Sequence, residues 1–417
     1  MKKLQLVDNQ IIELADFNSF TVIGDPGCDG LGAEIMATFT KALKLAKGEF
    51  ILVLGDIVPF GSKLFYDNVA ELIEHHADKN VFMLCGNHDT HYYEEFFGSR
   101  EYAIVDSRTL LVVLDNSKRS FTVESRELLT RALRDYPRQN IVLAMHIPPP
   151  NAITGNSVST AEWDKILAII ADHGLSGKVK YILAGHLHSY FEEQQGATRV
   201  VVSGGGGARI EEVTGIQAPY HHIVNFNYDP DGILTHNKED VVFVNLDYTD
   251  PIIDNMLDSA FKNECVAHVQ YQLNAESAAQ RGLLNLAHLF RAAAQAELFH
   301  ARNHYYVMSG LKDPLMSATE SLARESGEIN ILCQEYKAYA KNNALGLPVY
   351  TFNDACEAKV ALRELLETAC AELAQGTDIS DTGYFVCSSC GYIFSGETPP
   401  RACHICGAPG DKITVLV

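Results

Sequence analysis

Cys387-Ser388-Ser389-Cys390-Gly391-Tyr392 and Cys403-His404-Ile405-Cys406-Gly407 close the chain as two C-x-x-C-G turns, with twelve residues between Cys390 and Cys403. Each turn supplies two thiolates, and four thiolates make a tetrahedral site for iron or zinc. A segment this short cannot bury a core of its own, so the ion has to stand in for one. Tyr384, Phe385, Tyr392 and Phe394 are spaced to pack over it. Working back, residues 376–382 form a polar linker, and residues 250–375 are rich in Ala, Leu and Glu with few β-branched residues. Breaks at Gly282, at Gly310 with Pro314, and at Gly346 with Pro348 divide that stretch into four helices, near 252–282, 285–309, 314–343 and 352–375.

Before residue 250 the pattern is different. Short β-branched runs at 20–23, 50–54, 80–84, 110–114, 141–144 and 180–183 alternate with helical stretches such as 32–45 and 161–173, which is an α/β pattern. Further strands are expected at 199–203, 222–226 and 241–246. Five runs are followed by candidate ligands: Asp25, Asp56, Asn87-His88-Asp89, His146, and His186-Leu187-His188. Carboxylate and amide oxygens mixed with imidazole suit Mn, Fe, Zn or Mg at a two-metal hydrolytic centre, where one carboxylate bridges the ions. The expected architecture is therefore an α/β domain over 1–249, an all-α region over 250–376 and a metal-knuckle domain over 383–417.

Bulk properties limit what such a chain does. At 417 residues two to four domains are expected. A net charge of -20 argues against a nucleic-acid partner, although bound divalent cations would reverse the field locally. No apolar run approaches the roughly 20 residues of a membrane span, and the polar N-terminus does not read as a secretion signal. Of the ten cysteines, Cys28, Cys85, Cys265, Cys333, Cys356 and Cys370 are scattered in mostly apolar surroundings and read as buried free thiols, so a reducing, cytoplasmic location is expected.

The ordered ligand set over residues 18–247, with the closing Gly204-Gly205-Gly206-Gly207, resembles the calcineurin-like metallophosphoesterase family. The resemblance implies that Asp25, Asp56 and His188 bind one ion and Asp56, Asn87, His146 and His186 the other, with Asp56 as the bridge. It also implies that His88 protonates the leaving oxygen or stabilises phosphoryl charge, that Asp89 orients His88, and that water attacks phosphorus in line. One departure concerns the first motif. The family's Asp-x-His is Asp25-Pro26-Gly27 here, so the first ion lacks an imidazole unless water, Cys28 or Asp29 substitutes.

The helical stretch offers Glu264 on its first helix, Glu297-x-x-His300 on its second, Glu328 on its third and Glu357 on its fourth. A di-iron four-helix site needs one Glu from each of two helices and Glu-x-x-His from each of the others, because i and i+3 share a face. The region resembles the ferritin-like domain of rubrerythrin, and the cysteine turns resemble the rubredoxin-type site that ends that family. Val360 stands where the second His is expected and Ile331 where a further carboxylate is usual. One iron held well and a second held poorly, or His268 or His304 supplying the missing nitrogen, both remain open. The adjoining region favours Fe(Cys)4 over zinc at the cysteines. The combined expectation is a phosphomonoester or phosphodiester hydrolase fused to an iron redox module. The alternative is a peroxide- or oxygen-reducing protein whose phosphoesterase domain is weak or a platform. A small phosphoester substrate, a redox donor protein and a homodimer are the expected partners.

Overall fold

The computed structural model describes residues 2–138, 140–213, 220–241, 250–309, 312–380 and 383–416. The chain divides into two compact units, residues 1–311 and 312–417. The helical region expected over 250–376 is thus shared between them.

The first unit begins with β1 (Ile11–Glu13), β2 (Ser19–Ile23), α1 (Ala33–Leu45), β3 (Phe50–Val53), α2 (Lys63–His76), β4 (Asn80–Met83) and α3 (Tyr93–Phe97). It continues with β5 (Tyr102–Val105), β6 (Thr109–Val113), α4 (Val123–Asp135), β7 (Asn140–Met145), α5 (Thr160–Asp172) and β8 (Val179–Ala184). The sheets are completed by β9 (Tyr190–Gln195), β10 (Thr198–Ser203), β11 (His222–Tyr228) and β12 (Leu234–Asp240). One sheet has the order β1-β5-β6-β7-β8-β10-β9 and the other β12-β11-β2-β3-β4. The expected strand at 241–246 lies, apart from Val241, outside the described residues.

Strand alternation builds three cores from these runs. Phe50, Leu52 and Leu54 join Val142, Ala144 and Leu183 between the two sheets. Their neighbours on the opposite faces, Ile51 and Val53, pack beneath α1, α2 and α3, while Ile141, Leu143 and Met145 pack beneath α4 and α5. Two sheets buried on both faces explain why the runs read as continuously apolar rather than alternating. The parallel strands β2, β3 and β4 in one sheet and β7 and β8 in the other end on the same side. At that end the His146 ring donates from Nδ1 to the Leu54 carbonyl at 2.9 Å and so joins the sheets.

The same unit ends in α6 (Pro251–Gln280) and α7 (Leu284–Ser309). Asp250 caps α6, its side chain accepting from the Ile252 amide, and Pro251 fits the first turn because its missing N–H has no intrahelical role there. Contacts Phe261–Tyr305 and Tyr271–Phe290 run in opposite directions along the two helices, so the pair is antiparallel.

The second unit holds α8 (Pro314–Ile329), a π-helical segment (Asn330–Tyr336), α9 (Lys337–Asn342) and α10 (Gly346–Leu373). The fourth helix therefore starts at Gly346 rather than near 352, with Pro348 accommodated in its first turn. Cys333 and Cys356 correct the expectation of free thiols. They form a disulfide with Cα atoms 5.7 Å apart, because the antiparallel packing of α10 on the segment after α8 sets the two side chains opposite each other. The remaining strands β13 (Gly383–Cys387), β14 (Ile393–Gly396) and β15 (Ile413–Leu416) form a small antiparallel sheet in the order β14-β13-β15. No helix among the described residues is long and apolar enough to cross a membrane.

Candidate metal centres

At the shared sheet end, donor atoms of Asp25, Asp56 and His188 lie within 4.8 Å of one another, and so do those of Asp56, His146 and His186. Asp56 belongs to both groups. Asn87 adds its Oδ1 at 2.9 Å from His146 Nε2. Asp25, Asp56, His186 and His188 adopt left-handed φ values of 51, 52, 73 and 43°. Left-handed backbone costs about 1–3 kcal/mol for a non-glycine residue, so its concentration on these four points to side chains aimed by the fold for a purpose other than packing. The strand ends leave room for this. A Cβ on Gly86 would overlap the Asp56 carboxylate, and one on Gly204 would stand 2.6 Å from Asp25 Oδ2.

The buried aspartates and histidines at this end shift one another strongly. Burial, reinforced by Asp56, pushes the Asp25 carboxyl well above its usual range in spite of His146. Burial also raises Asp56, but His146 and the His88 amide outweigh it and hold Asp56 at about 2. Burial lowers His146, yet the two aspartates bring it to about 9. His186, lowered to about 3 by burial and by His146, keeps the neutral imidazole that a metal ligand requires. Hard oxygens with imidazole, around room that a Cβ would fill, fit divalent cations.

His88 stands beside this centre with Nε2 4.0 Å from Asp56 Oδ2, and its side chain is 42 % exposed. Its Nδ1 bonds the Pro59 carbonyl at 2.8 Å. The orienting partner is therefore a backbone carbonyl, whereas Asp89 was expected in that role. The buried Asp89 carboxylate instead accepts the amides of Ile57 and Gly86 at 2.8 Å and of Val58 at 3.2 Å, which ties the loops after β3 and β4 together. Two residues that the sequence did not single out line the other side. Arg119 reaches His186 Nε2 at 3.3 Å and Asn156 Oδ1 at 2.7 Å. Arg119 lies well past the end of β6 and Asn156 well past the end of β7, so neither directly follows an apolar run and no sequence signal marked them. A polar cavity of about 610 Å³ opens beside Asn87, with Arg100 and Lys118 in its wall.

In the helical region the expected residues are divided between the two units. Glu264, Glu297 and His300 have donor atoms within 4.8 Å of one another on α6 and α7. His300 Nδ1 lies 3.0 Å from Glu297 Oε2, and Glu264 is raised by its hydrogen bond to Glu297. His268, one of the candidate substitutes, spends its Nδ1 on the Ala294 carbonyl at 2.7 Å. In the second unit, Glu328 is engaged by the Lys359 ammonium at 2.5 Å, and Lys359 also pairs with the buried Glu325 at 2.8 Å. Glu357 joins no group of three metal-competent side chains among the described residues. An ammonium on Glu328 supplies the positive charge that an ion would otherwise bring.

The terminal thiols converge fully. Cys387, Cys390, Cys403 and Cys406 have their sulfurs within 4.8 Å of one another, with Cys387 and Cys406 3.6 Å apart and Cys390 and Cys403 likewise. Gly391 and Gly407, at φ 74 and 73°, close the two turns, their amides donating to the carbonyls of Cys387 and Cys403. Burial raises the Cys387 thiol, but the amides of Ser389 and Cys390 outweigh it and hold it at about 7. Tyr392 and Phe394 pack on His404, with ring centroids 4.6 and 5.4 Å from it. His404 is an addition to the expected aromatic cover.

Comparison with known proteins agrees with this division. The calcineurin-like phosphoesterase family matches residues 19–190, rubrerythrin residues 255–342, and the rubredoxin-like domain of rubrerythrin residues 385–414. Rubrerythrin-2 of Clostridium acetobutylicum is 27 % identical over 172 residues, which are 38 % of this chain and 93 % of that protein. Nigerythrin of Nitratidesulfovibrio vulgaris is 31 % identical over 177 residues, 38 % of this chain and 83 % of that one. Among solved structures, the GAP50 anchor in the inner membrane complex of Plasmodium aligns with a TM-score of 0.42 at 14 % identity, over 56 % of this chain and 87 % of that one. The C-terminal region of the chain belongs to the rubrerythrin family, and it is fused in one polypeptide to a calcineurin-like metallophosphoesterase domain.

Proposed function

We propose that the N-terminal domain hydrolyses a small phosphomonoester or phosphodiester at a two-ion centre, and that the C-terminal region is its rubrerythrin-type electron-transfer partner. The observation that carries the reading is the sharing of Asp56 by two ligand groups. Asp25, Asp56 and His188 would hold one ion, and Asp56, Asn87, His146 and His186 the other. Divalent cations there supply charge for the phosphoryl oxygens and lower the pKa of water. The chain's own groups do the rest. His88, half-exposed and fixed through Nδ1 by Pro59, presents Nε2 to the leaving oxygen. Arg119 offers a planar donor pair to a phosphoryl oxygen at the rim.

In the C-terminal region the four thiolates would hold Fe(Cys)4, and Glu264, Glu297 and His300 would hold one iron. The pairing of Lys359 with Glu328 favours a single strong iron site over two. Iron held by the cysteines would supply one-electron chemistry, with a donor protein as the reductant and peroxide or dioxygen as the oxidant. A homodimer is part of the same reading.

The test is hydrolysis of a chromogenic phosphodiester by metal-loaded protein. His88→Ala should lower kcat by about 10²–10⁴-fold, and Asp56→Asn should remove activity. Hydrolysis that survives both changes would come from another site and end the proposal. Peroxide consumption by the iron-loaded protein, with hydrolysis absent, would instead favour the reading in which the N-terminal domain is a platform.

A further inference from the structure

The corner of the centre around His188 has a donor that the family pattern does not supply. Gly27 occupies the position where the resemblance places a histidine, and the backbone forbids one there. A Cβ on Gly27 would overlap the Ile57 carbonyl, and the Gly27 amide donates to the Asp56 carbonyl at 2.9 Å. The loop after β2 therefore lies flat on the loop after β3. One consequence is the position of the next residue. Cys28 is buried, and its Sγ lies 3.0 Å from His188 Nε2. Donor atoms of Cys28, Asp29 and His188 are within 4.8 Å of one another, and His188 also belongs to the group with Asp25 and Asp56. Asp29 is exposed and spends Oδ2 on the Arg209 amide at 2.7 Å. The thiol is the donor left facing inward.

We propose that Cys28 is a direct ligand of the first ion, completing Asp25, Asp56 and His188 in place of the imidazole that position 27 has no space for. The proposal rests on the two-ion reading above. Coordination releases the thiol proton to solvent and leaves a thiolate on the ion, with no change of oxidation state. A thiolate selects zinc, iron or cobalt over manganese and magnesium, so the two ion positions differ in metal preference: the first is mixed oxygen, nitrogen and sulfur, and the second is oxygen and nitrogen only.

The experiment uses the full chain, stripped of metal by chelation, kept reduced, and titrated with Co²⁺. Spectra are compared between wild type, Cys28→Ser, Cys28→Ala and His146→Ala. All other thiols, including the terminal four, contribute equally and cancel in difference spectra. A near-ultraviolet sulfur-to-cobalt charge-transfer band should appear in wild type minus Cys28→Ala and in wild type minus Cys28→Ser. Zinc should lose roughly tenfold or more of its advantage over manganese in both variants, since loss of even an outer-sphere partner costs about that much. Visible cobalt bands lost in His146→Ala but kept in the Cys28 variants, with no charge-transfer band in either Cys28 difference spectrum, would overturn the Cys28 assignment and leave the two-ion reading standing. If His146→Ala loses no cobalt and neither Cys28 difference spectrum shows the band, both fall. Serine matches cysteine closely in size, so Cys28→Ser, checked by circular dichroism, carries the comparison should Cys28→Ala fail to fold.

Discussion

At the scale of single residues, a strand end aims a side chain better than the side chain can aim itself. Asp25, Asp56, His186 and His188 share a strained backbone, and their neighbours Gly86 and Gly204 are kept small to make room. The identity of these residues was legible in the sequence because each follows an apolar run. The role of Asp89 was not, because adjacency to His88 in sequence says nothing about which amides the carboxylate will meet. His222 gives this scale a measurable consequence. It is fully buried with Nδ1 on the Tyr220 carbonyl, and burial lowers it to about 4. Folded, it stays neutral, while the unfolded chain takes up a proton below about 6.5, so stability is lost as pH falls from about 6.5 towards 4. For chelated protein, His222→Gln should reduce the drop in unfolding free energy between pH 7 and pH 5 by about 2 kcal/mol, measured by urea titration. An unchanged drop would mean that His222 is not held neutral.

Elements were legible where burial is two-sided or the helix is long. The runs at β2, β3, β4, β7 and β8 are continuous apolar stretches, and the breaks at Gly282 and Pro314 end or start helices as expected. The strand β12, Leu-Thr-His-Asn-Lys-Glu-Asp, was not expected, since an edge strand carries no core pattern. The π segment and the disulfide that joins it to α10 were likewise hidden, because Cys333 and Cys356 are 23 residues apart and become neighbours only through helix pairing. A cross-link closing that loop should stabilise the pair by about 3 kcal/mol. Reduction with a phosphine, or Cys333→Ser, should therefore lower the melting of the second unit by that amount in denaturant titration. Equal stability of oxidised and reduced protein would show that the cross-link does not constrain the unfolded chain.

For the whole molecule, the order of a metallophosphoesterase-type domain, a helical region and a cysteine-rich tail follows from composition and spacing, but assembly does not. Packing α6 against α7 leaves Val266, Val269, Leu273 and Leu289 more than half exposed, at 56, 52, 59 and 63 %. Met316, Tyr339 and Leu347 are exposed in the second unit. Two-helix pairs cannot cover both of their faces, and patches of this kind are characteristic of association surfaces. A symmetric homodimer is the expected state in sedimentation equilibrium, and Leu273→Glu with Leu289→Glu should shift it towards monomer. A wild-type monomer at micromolar concentration would remove the dimer from the account.

The central claim is that one carboxylate serves two ions at the junction of the two sheets. Metal content per chain, measured on wild type and Asp56→Asn purified identically, tests it most directly. The account predicts that the variant loses two ions while the metal bound by the cysteine-rich tail is retained. Loss of one ion or none would contradict a bridge at Asp56.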